Sequence, residues 1–170
     1  QTGAFAWLDF STGDWAGLYS SKESELWQWM LKLAPRELLL PDSAKLPSGL
    51  EFSETQVARL PERGAFEFKG AEERILKAQG VKELAALNLD KKPELVQACG
   101  ALLSYAAKTQ MRDIAHLTQF KLLQLNKHLI LDEISERNLE IFRRLDGRRG
   151  PGTLWHVLDK TITPMGGRLL

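Results

Sequence analysis

The chain contains little cysteine and little histidine. Of its 170 residues, 1 is cysteine and 3 are histidine. A lone thiol cannot close an intrachain disulfide, so a disulfide-stabilised scaffold is excluded and a reducing compartment is indicated. His116, His128 and His156 lie far apart, with no cysteine or carboxylate at metal-ligand spacing. The sequence therefore predicts no histidine or cysteine metal site, and we expect Cys99 to be a small core residue.

Long apolar runs and phosphate-binding loops are also missing. No apolar run is long enough to cross a bilayer, and no segment resembles a signal peptide. No glycine-rich loop of the GxxxxGK[ST] kind is present. The formal net charge is +1, which gives no general attraction to nucleic acid or to anionic membranes. We expect a cytoplasmic chain with no membrane contact and no bound cofactor of its own.

Basic residues are concentrated near the end of the chain. Residues 134–170 carry a net charge of +3, whereas residues 1–133 carry −2. The basic segment contains a cluster of four arginines: Arg143, Arg144, Arg148 and Arg149. Such a cluster can bind phosphates without reading base sequence, and Arg148 and Arg149 are the candidate phosphate contacts. Alternatively, the arginines belong to a solvated helix end, where cations suit the helix dipole.

The first part of the chain predicts a β-hairpin followed by a helix. Residues 4–10 are rich in aromatic side chains and predict a strand. The turn signal STGD follows, and Trp15–Tyr19 is then expected to form the returning antiparallel strand. Ser20 and Glu23 have the spacing of a capping box for a helix that ends at Pro35.

The middle of the chain predicts a sheet covered by helices. Glu37–Leu40 is a short apolar run without alternation, which is typical of a strand buried on both faces. Residues 52–60 predict a weak helix. From Pro93 onward, apolar residues recur at helical spacing and predict a long helix. Strands are predicted at residues 120–125 and 128–131. This order indicates an α/β fold, a mixed β-sheet flanked by helices.

The last part of the chain predicts a short all-helical segment that begins a second domain. A helix is expected to end at Asp146-Gly147, and a glycine-rich loop follows it. We interpret this loop and the N-cap that precedes the helix as a hinge or domain junction, with Asp132, Gly147, Gly150 and Gly152 as its residues. Further helices are predicted at residues 154–158 and after Thr163-Pro164. Because the chain stops just after that last helix begins, we expect a piece of a longer protein.

Asp9 is the candidate catalytic residue. An acidic residue near the end of a first strand, followed by a turn and a returning strand, is the layout of ribonuclease-H-like nucleases. Those enzymes need several carboxylates around two Mg²⁺ ions, and Asp132 and Glu133 are the candidate partners here. The alternative is that Asp9 closes a tight turn and that Asp132 caps a helix. A nuclease would cleave nucleic acid when Mn²⁺ or Mg²⁺ is present.

Three segments carry a resemblance to a known family. They are Ala6–Gly13; Gly100–Tyr105 with Thr109-Gln110; and an ordered set near the end, Asp132, Arg137–Glu140, Thr153-Leu154, Leu158-Asp159 and Thr163–Gly166 with Arg168 and Leu170. Together they resemble the bacterial MutS DNA mismatch repair proteins. The first two segments resemble the opening strand and the long helix of the connector domain in that family. The resemblance covers the whole chain, although residues 41–92 match only loosely.

The resemblance implies an identity for each part of the chain. Residues 1–132 would be the connector domain, with a ribonuclease-H-like fold but without nuclease chemistry. Residues 133–170 would begin the helical core and lever domain. Members of the family bind mismatched double-stranded DNA as homodimers, exchange ADP for ATP with Mg²⁺, and recruit MutL. The mismatch-reading and ATPase sites would lie outside this chain, so we expect it to be non-catalytic, in a protein of the bacterial cytoplasm associated with the nucleoid.

The resemblance also implies a surface for a protein partner. In the family, the connector links the mismatch-binding part to the ATPase part and offers a docking surface to MutL. The charged helix predicted at residues 71–78 is our candidate for that surface, with Ile75 and Leu76 pointing inward. The candidate docking residues, expected to point outward, are Glu72, Glu73, Arg74 and Lys77.

Overall fold

The computed structural model describes residues 3–47, 55–110, 117–124, 131 and 133–169. The chain divides into two compact units, unit 1 (Gln1–Gln124) and unit 2 (Leu125–Leu170). This division falls before the boundary that the sequence predicts after Asp132, and the two domain assignments stay predictions. The strand predicted at residues 128–131 and the N-cap at Asp132 lie outside the described residues, apart from Leu131.

Unit 1 contains both strands and helices, and the elements described in unit 2 are all helices. In unit 1 they are β1 (Gly3–Leu8), β2 (Trp15–Ser20), α1 (Glu23–Leu33), β3 (Glu37–Pro41), β4 (Gln56–Leu60), the distorted turn α2 (Glu62–Ala65), α3 (Phe68–Gln79), a 3₁₀ turn (Leu84–Leu87), α4 (Pro93–Gln110) and β5 (Lys121–Leu123). In unit 2 they are α5 (Glu133–Asn138), α6 (Leu154–Leu158) and α7 (Pro164–Leu169). Within the described ranges, no helix has the length and hydropathy to cross a bilayer.

The β1–β2 hairpin is confirmed. The two strands pair antiparallel, from Gly3 opposite Ser20 to Leu8 opposite Trp15. β5 pairs parallel to β2, which gives the strand order β1-β2-β5. β3 and β4 form a separate parallel pair. Unit 1 is therefore mixed α/β, with small sheets flanked by helices.

The main core of unit 1 lies between the β1–β2–β5 sheet and helices α3 and α4. The apolar stripe predicted on α4 is confirmed by its buried residues, which include Leu95, Cys99 and Leu103. Gly17 of β2 allows the close approach of α4, because a Cβ atom built there would lie 2.7 Å from Leu95 Cδ1. The sheet and the helical layer thus touch along the middle of β2, which is buried at every position except Tyr19.

β3 differs from the sequence prediction. Its burial alternates, with Leu38 and Leu40 buried and Leu39 only half-buried. Leu38 and Leu40 pack with Met30 of α1 in a second, smaller core. The buried face of β3 packs on α1, whereas β2 is central in its sheet and lies against α4.

The weak helix predicted at residues 52–60 is wrong where the structure describes it. Residues Gln56–Leu60 form the strand β4, in register with Glu37–Pro41 of β3. Arg59 of β4 donates hydrogen bonds from Nη1 to the carbonyls of Asp42 (3.1 Å) and Ala44 (2.9 Å). The strand is thus fixed by contacts with residues distant in sequence, which override local helix propensity.

The capping box predicted at Ser20 and Glu23 is also wrong. The Ser20 hydroxyl accepts a hydrogen bond from the Lys22 N–H (3.0 Å) and donates one to Glu25 (2.6 Å). The helix begins at Glu23 itself, so that residue is too early to return a bond to Ser20. Ser20 instead closes the turn that leads from β2 into α1.

The first helix of unit 2 is shorter than the sequence predicts, whereas the helix predicted at residues 154–158 is confirmed as α6. The helix expected to continue to Asp146 ends at Asn138, and Glu140 adopts a left-handed conformation with φ 47°. The carbonyl of Glu140 then accepts the N–H of Leu154 (3.0 Å), and its side chain accepts the N–H of Leu145 (2.7 Å). The predicted N-cap at Thr163 is confirmed, because its hydroxyl accepts the Gly166 N–H (3.1 Å).

Candidate docking surface

Helix α3 presents part of its predicted charged face to solvent. Glu73 and Lys77 are exposed, and Glu72 is half-buried. Glu73 and Lys77 are separated by four residues, so their side chains lie on the same face of the helix. Ile75 is fully buried, as predicted. The exposed face therefore has both signs of charge, which suits a partner of complementary mixed charge.

Arg74 does not point freely outward as the sequence predicted. Its Nε donates to the carbonyl of Gly100 (3.0 Å), and its Nη2 donates to the carbonyls of Ala65 (3.1 Å) and Gly64 (3.4 Å). The guanidinium therefore ties α3 to α4 and to the segment before α3. No short-range pattern identifies this role, because the bonds go to main-chain carbonyls, which every residue offers, in α4 and in the segment before α3.

Helix α3 also crosses α4 at very short range. A Cβ atom built on Gly100 would lie 2.2 Å from Ala71 Cβ and 2.4 Å from Ala71 Cα, so only glycine fits there. Small residues at a crossing let two helix backbones approach closely. The close crossing and the Arg74 bonds together hold the outer face of α3 in a fixed orientation on unit 1.

The end of α3 contacts the segment that precedes β5, a feature that the sequence analysis missed. The Gln79 side chain donates from Nε2 to the Thr118 carbonyl (3.1 Å) and accepts the Phe120 N–H at Oε1 (2.7 Å). Gly80 then ends the helix with φ 63°, the left-handed conformation for which glycine is preferred. The glycine is a recognisable helix-end signal, but nothing in it specifies the partners of Gln79.

Thr118 joins this segment to the turn of the hairpin. Its N–H donates to the Gly13 carbonyl (3.0 Å), and its carbonyl also accepts the Trp15 indole N–H (2.9 Å). Its hydroxyl lies 3.1 Å from Asp14 Oδ1. This hydroxyl, with the ammonium of Lys121 at 3.3 Å, lowers the pKa of Asp14 below its ordinary value of 3.8.

Asp9 is engaged in the hairpin turn. Its Oδ1 accepts hydrogen bonds from the Ser11 N–H (2.7 Å) and the Ser11 hydroxyl (2.6 Å). Its backbone also closes the turn with Gly13 and Asp14. This is the turn-closing role that the sequence analysis gave as the alternative to catalysis. Nothing in the described part of the chain favours a nuclease.

The structure shows neither a metal site nor a reactive thiol in the part of the chain that it describes. Within that part, no three or more histidine, cysteine, aspartate or glutamate side chains converge as metal ligands would. The candidate partner Asp132 lies outside the described residues, and the side chain of Glu133 is likewise not described. Cys99 is fully buried, and this burial raises the pKa of its thiol, which keeps it protonated as a core residue.

The candidate phosphate contacts lie in unit 2 on a tight turn. Arg148 and Arg149 are both exposed. The Arg148 N–H donates to Asp146 Oδ1 (3.0 Å), and its side-chain Nε lies 3.9 Å from Asp146 Oδ2. Arg144 also approaches that carboxylate, at 3.6 Å. Asp146 therefore offsets part of the positive charge of this turn.

The predicted hinge glycines all adopt left-handed backbone conformations. Their φ angles are 84° at Gly147, 101° at Gly150 and 98° at Gly152. The loop is closed by main-chain hydrogen bonds, including Gly147 N–H to Arg144 O (2.8 Å) and Thr153 N–H to Gly150 O (3.1 Å). Glycine is needed here for conformation. A hinge role for these residues stays a prediction.

These features define a class of protein before they define a family. Unit 1 is a mixed α/β domain whose specialised contacts fix one helix on its surface and one segment at its end. Unit 2 is a short helical unit with a basic turn. The chain is thus a mixed α/β domain followed by a short helical unit.

Comparison with known proteins gives the family. Residues 1–120 match the family model described as MutS domain II. The chain is 64% identical to a protein named DNA mismatch repair protein MutS from Oleidesulfovibrio alaskensis, over 99% of this chain and 19% of that protein. Proteins of the same name from Nitratidesulfovibrio vulgaris and Lawsonia intracellularis are 59% and 54% identical, over 100% and 99% of this chain and 19% of each relative.

The chain belongs to the MutS domain II family. The matches to relatives named DNA mismatch repair protein MutS extend over unit 2 as well as unit 1. The chain spans about one fifth of the length of the curated relatives that it matches.

Proposed function

We propose that this chain is the connecting part of a longer mismatch repair protein. It joins the mismatch-binding part to the ATPase part, offers a docking surface to MutL, and catalyses no reaction itself. The observation that carries the proposal is the match of the whole chain to proteins named DNA mismatch repair protein MutS, of which it covers 19%. The exposed, firmly anchored face of α3 supports the docking role.

The proposal extends to the parts and ligands of the longer protein. Unit 1 has a ribonuclease-H-like topology, and residues 133–170 begin a helical core and lever domain. The full-length protein acts as a homodimer on mismatched double-stranded DNA, uses ATP and Mg²⁺, and works in the bacterial cytoplasm at the nucleoid. The relatives are bacterial proteins named for mismatch repair, which supports this assignment.

The docking residues can be chosen more sharply than the sequence allowed. Glu73 and Lys77 are exposed, whereas Arg74 donates hydrogen bonds to carbonyls of α4 and of the segment before α3. Reversing the charge of Arg74 would disturb the packing of α3 and confuse docking with folding. The useful variant is therefore Glu73→Lys combined with Lys77→Glu, which exchanges the two charges and leaves the net charge unchanged.

Binding of the full-length protein to the N-terminal ATPase domain of MutL tests the docking role. It is measured with and without a non-hydrolysable ATP analogue. We expect the α3 double variant to bind about tenfold more weakly, because like charges then meet across the interface. The matched control is Asp90→Lys with Lys91→Glu, which exchanges two exposed charges outside α3. Wild-type affinity in the α3 double variant would overturn the proposal for this face.

A weak phosphate contact at the basic turn of unit 2 is a separate proposal. Arg148 and Arg149 are exposed, and Asp146 neutralises only part of the local charge. Both arginines are changed to glutamine, and binding to duplex DNA is measured at several salt concentrations. The slope of the logarithm of the binding constant against the logarithm of the salt concentration is expected to become shallower by about two. The control is Lys160→Gln, at an exposed position of the same unit. A salt slope that does not change in the arginine variant would exclude the contact.

A further inference from the structure

Residues 117–123, which we call the strap, lie at the end of unit 1 and lead the chain into unit 2. The strap includes β5, whose main-chain pairing with β2 covers only Lys121–Leu123. β5 lies at the end of the described strand order β1-β2-β5. The strap is thus attached to the sheet through a short edge strand, the kind of element that opens locally most easily.

A side chain extends this short strand pairing. The Gln79 amide donates to the Thr118 carbonyl and accepts the Phe120 N–H, at 3.1 and 2.7 Å. In a parallel sheet, a neighbouring residue makes this same pair of bonds to the carbonyl before and the N–H after the residue that it faces. Gln79 therefore takes the place of a one-residue parallel strand opposite Gln119.

The remaining attachments of the strap come from the hairpin and the core. Thr118 bonds to Gly13 and Trp15. Phe120 is buried, and its ring meets Trp15 edge-on at a centroid distance of 4.8 Å. By contrast, α3 is held on α4 by the Ala71–Gly100 crossing, which does not involve the strap. Release of the strap exposes part of the main core, because Phe120 belongs to it together with Ala71 and Leu95, but it does not remove the Ala71–Gly100 contact.

We propose that the strap is a releasable latch that Gln79 holds closed. When the two hydrogen bonds of the Gln79 amide break, residues 117–123 separate from β2 while β1, β2, α3 and α4 stay folded. The latch couples two places that matter for a connecting domain. Gln79 is the last residue of α3, which carries the proposed docking face, and the strap is the path along which the chain leaves unit 1.

The regulatory use of the latch rests on the proposed docking function. A partner that contacts both α3 and the closed strap would shift the equilibrium toward the closed strap. By the same linkage, a change in unit 2 that pulls the strap open would weaken docking. Partner binding at α3 and a change in unit 2 would both act on the strap through the hydrogen bonds of the Gln79 side chain.

Amide hydrogen exchange of the 170-residue chain tests the latch. The variant is Gln79→Met, which keeps the length of the side chain and removes both of its hydrogen bonds. We expect the amides of Thr118, Phe120 and β5 to exchange about tenfold faster, because two bonds that favour the closed strap are lost. Amides of α4 such as Val96 and Cys99 are expected to exchange at the wild-type rate.

The controls separate a latch from general destabilisation. Gln28→Met places the same change at an exposed position of α1 and is expected to leave every rate unchanged. Wild-type exchange of the strap amides in Gln79→Met would overturn the latch, and so would equal acceleration of the strap and α4 amides. If Gln79→Met does not fold, exchange of the wild-type chain at low denaturant decides the matter. The strap must then open with a weaker dependence on denaturant than α4.

These outcomes are independent of MutL. If the strap amides exchange at the wild-type rate in Gln79→Met, the latch proposal is wrong and the docking proposal is unaffected. If the α3 charge-exchange variant binds MutL with wild-type affinity, the docking proposal for this face is wrong and the latch proposal is unaffected.

Discussion

Unit 1 and unit 2 bury their apolar side chains to very different extents. Among the described residues, every buried apolar side chain lies in unit 1, whereas the buried residue of unit 2 is Thr153. Unit 2 exposes most of its large apolar residues: Ile134, Leu139, Phe142, Leu145, Leu154, Val157, Leu158, Ile162 and Met165. Unit 1 is therefore specified by a core, and unit 2 by hydrogen-bonded turns and helix caps.

The comparison shows that regular local structure does not require a local core. In unit 2, the carbonyls of Glu140 and Ile141 accept the N–H groups of Leu154 and Trp155. One ring contact, between Phe142 and Trp155 at 5.4 Å, supports that pairing. Mutations should accordingly act by different mechanisms in the two units.

The largest difference is expected for truncation of a leucine. Leu95 is fully buried in unit 1, and Leu154 of unit 2 is 48% exposed. Leu95→Ala should lower the free energy of unfolding by about 2–5 kcal/mol, because it removes buried apolar area and leaves a cavity. Leu154→Ala should change it by no more than about 0.5 kcal/mol. Urea denaturation measures both, and similar losses would refute the comparison.

The second-largest loss of stability is expected from overpacking at the α3–α4 crossing. Gly100→Val forces atoms into the space held by Ala71, so the free energy of unfolding should fall by about 1–3 kcal/mol or more. Ala107→Val adds bulk on the exposed side of the same helix and should cost less than about 1 kcal/mol, through helix propensity alone. Denaturant unfolding of the two variants decides the point, and equal stability would mean that the helices can move apart.

A cap mutation is expected to act on unit 2 alone. The Thr153 hydroxyl accepts the His156 N–H (3.2 Å) and donates to the Gly150 carbonyl (2.9 Å). Thr153→Ala should weaken α6 by about 1 kcal/mol, seen as faster exchange of the Val157 and Asp159 amides. Thr153→Ser keeps the hydroxyl and should retain most of the protection. Faster exchange in unit 1 as well would show that the effect is not confined to the helix that Thr153 caps.

The smallest effect is expected from acid. The Thr118 hydroxyl and Lys121 lower the pKa of Asp14 below 3.8. The folded state therefore binds this proton less tightly than the unfolded state does. The resulting stabilisation is complete above about pH 3.8 and is lost as the pH falls through the pKa of the folded state. Carbon-13 titration should show the pKa of Asp14 returning toward 3.8 in Thr118→Val, whereas an unchanged titration would exclude the hydroxyl as its main cause.

The sequence predicted those elements whose pattern is local. The hairpin follows from alternating aromatic residues around a turn signal, and α4 follows from an apolar stripe at helical spacing. β4 was missed because its strand conformation depends on pairing with β3, which is distant in sequence. The helix after Asp132 was predicted too long because apolar spacing continues past Asn138, where the backbone turns at Glu140.

The candidate site was predicted only in part, for a related physical reason. The outward position of Glu73 and Lys77 follows from helical periodicity. The contacts of Arg74 and Gln79 do not, because their partners are backbone atoms. Any residue offers a carbonyl and almost any residue an N–H, so the sequence contains no complementary signal at positions 100, 118 or 120.

The Gly100–Ala71 crossing also has an evolutionary consequence. Glycine is needed at position 100 whatever residue stands at position 71, because a Cβ atom there would lie 2.4 Å from the main-chain Cα of residue 71 as well as 2.2 Å from its Cβ. A library that varies the two positions together should therefore return glycine alone at position 100, and no substitution at residue 71 should rescue a side chain there.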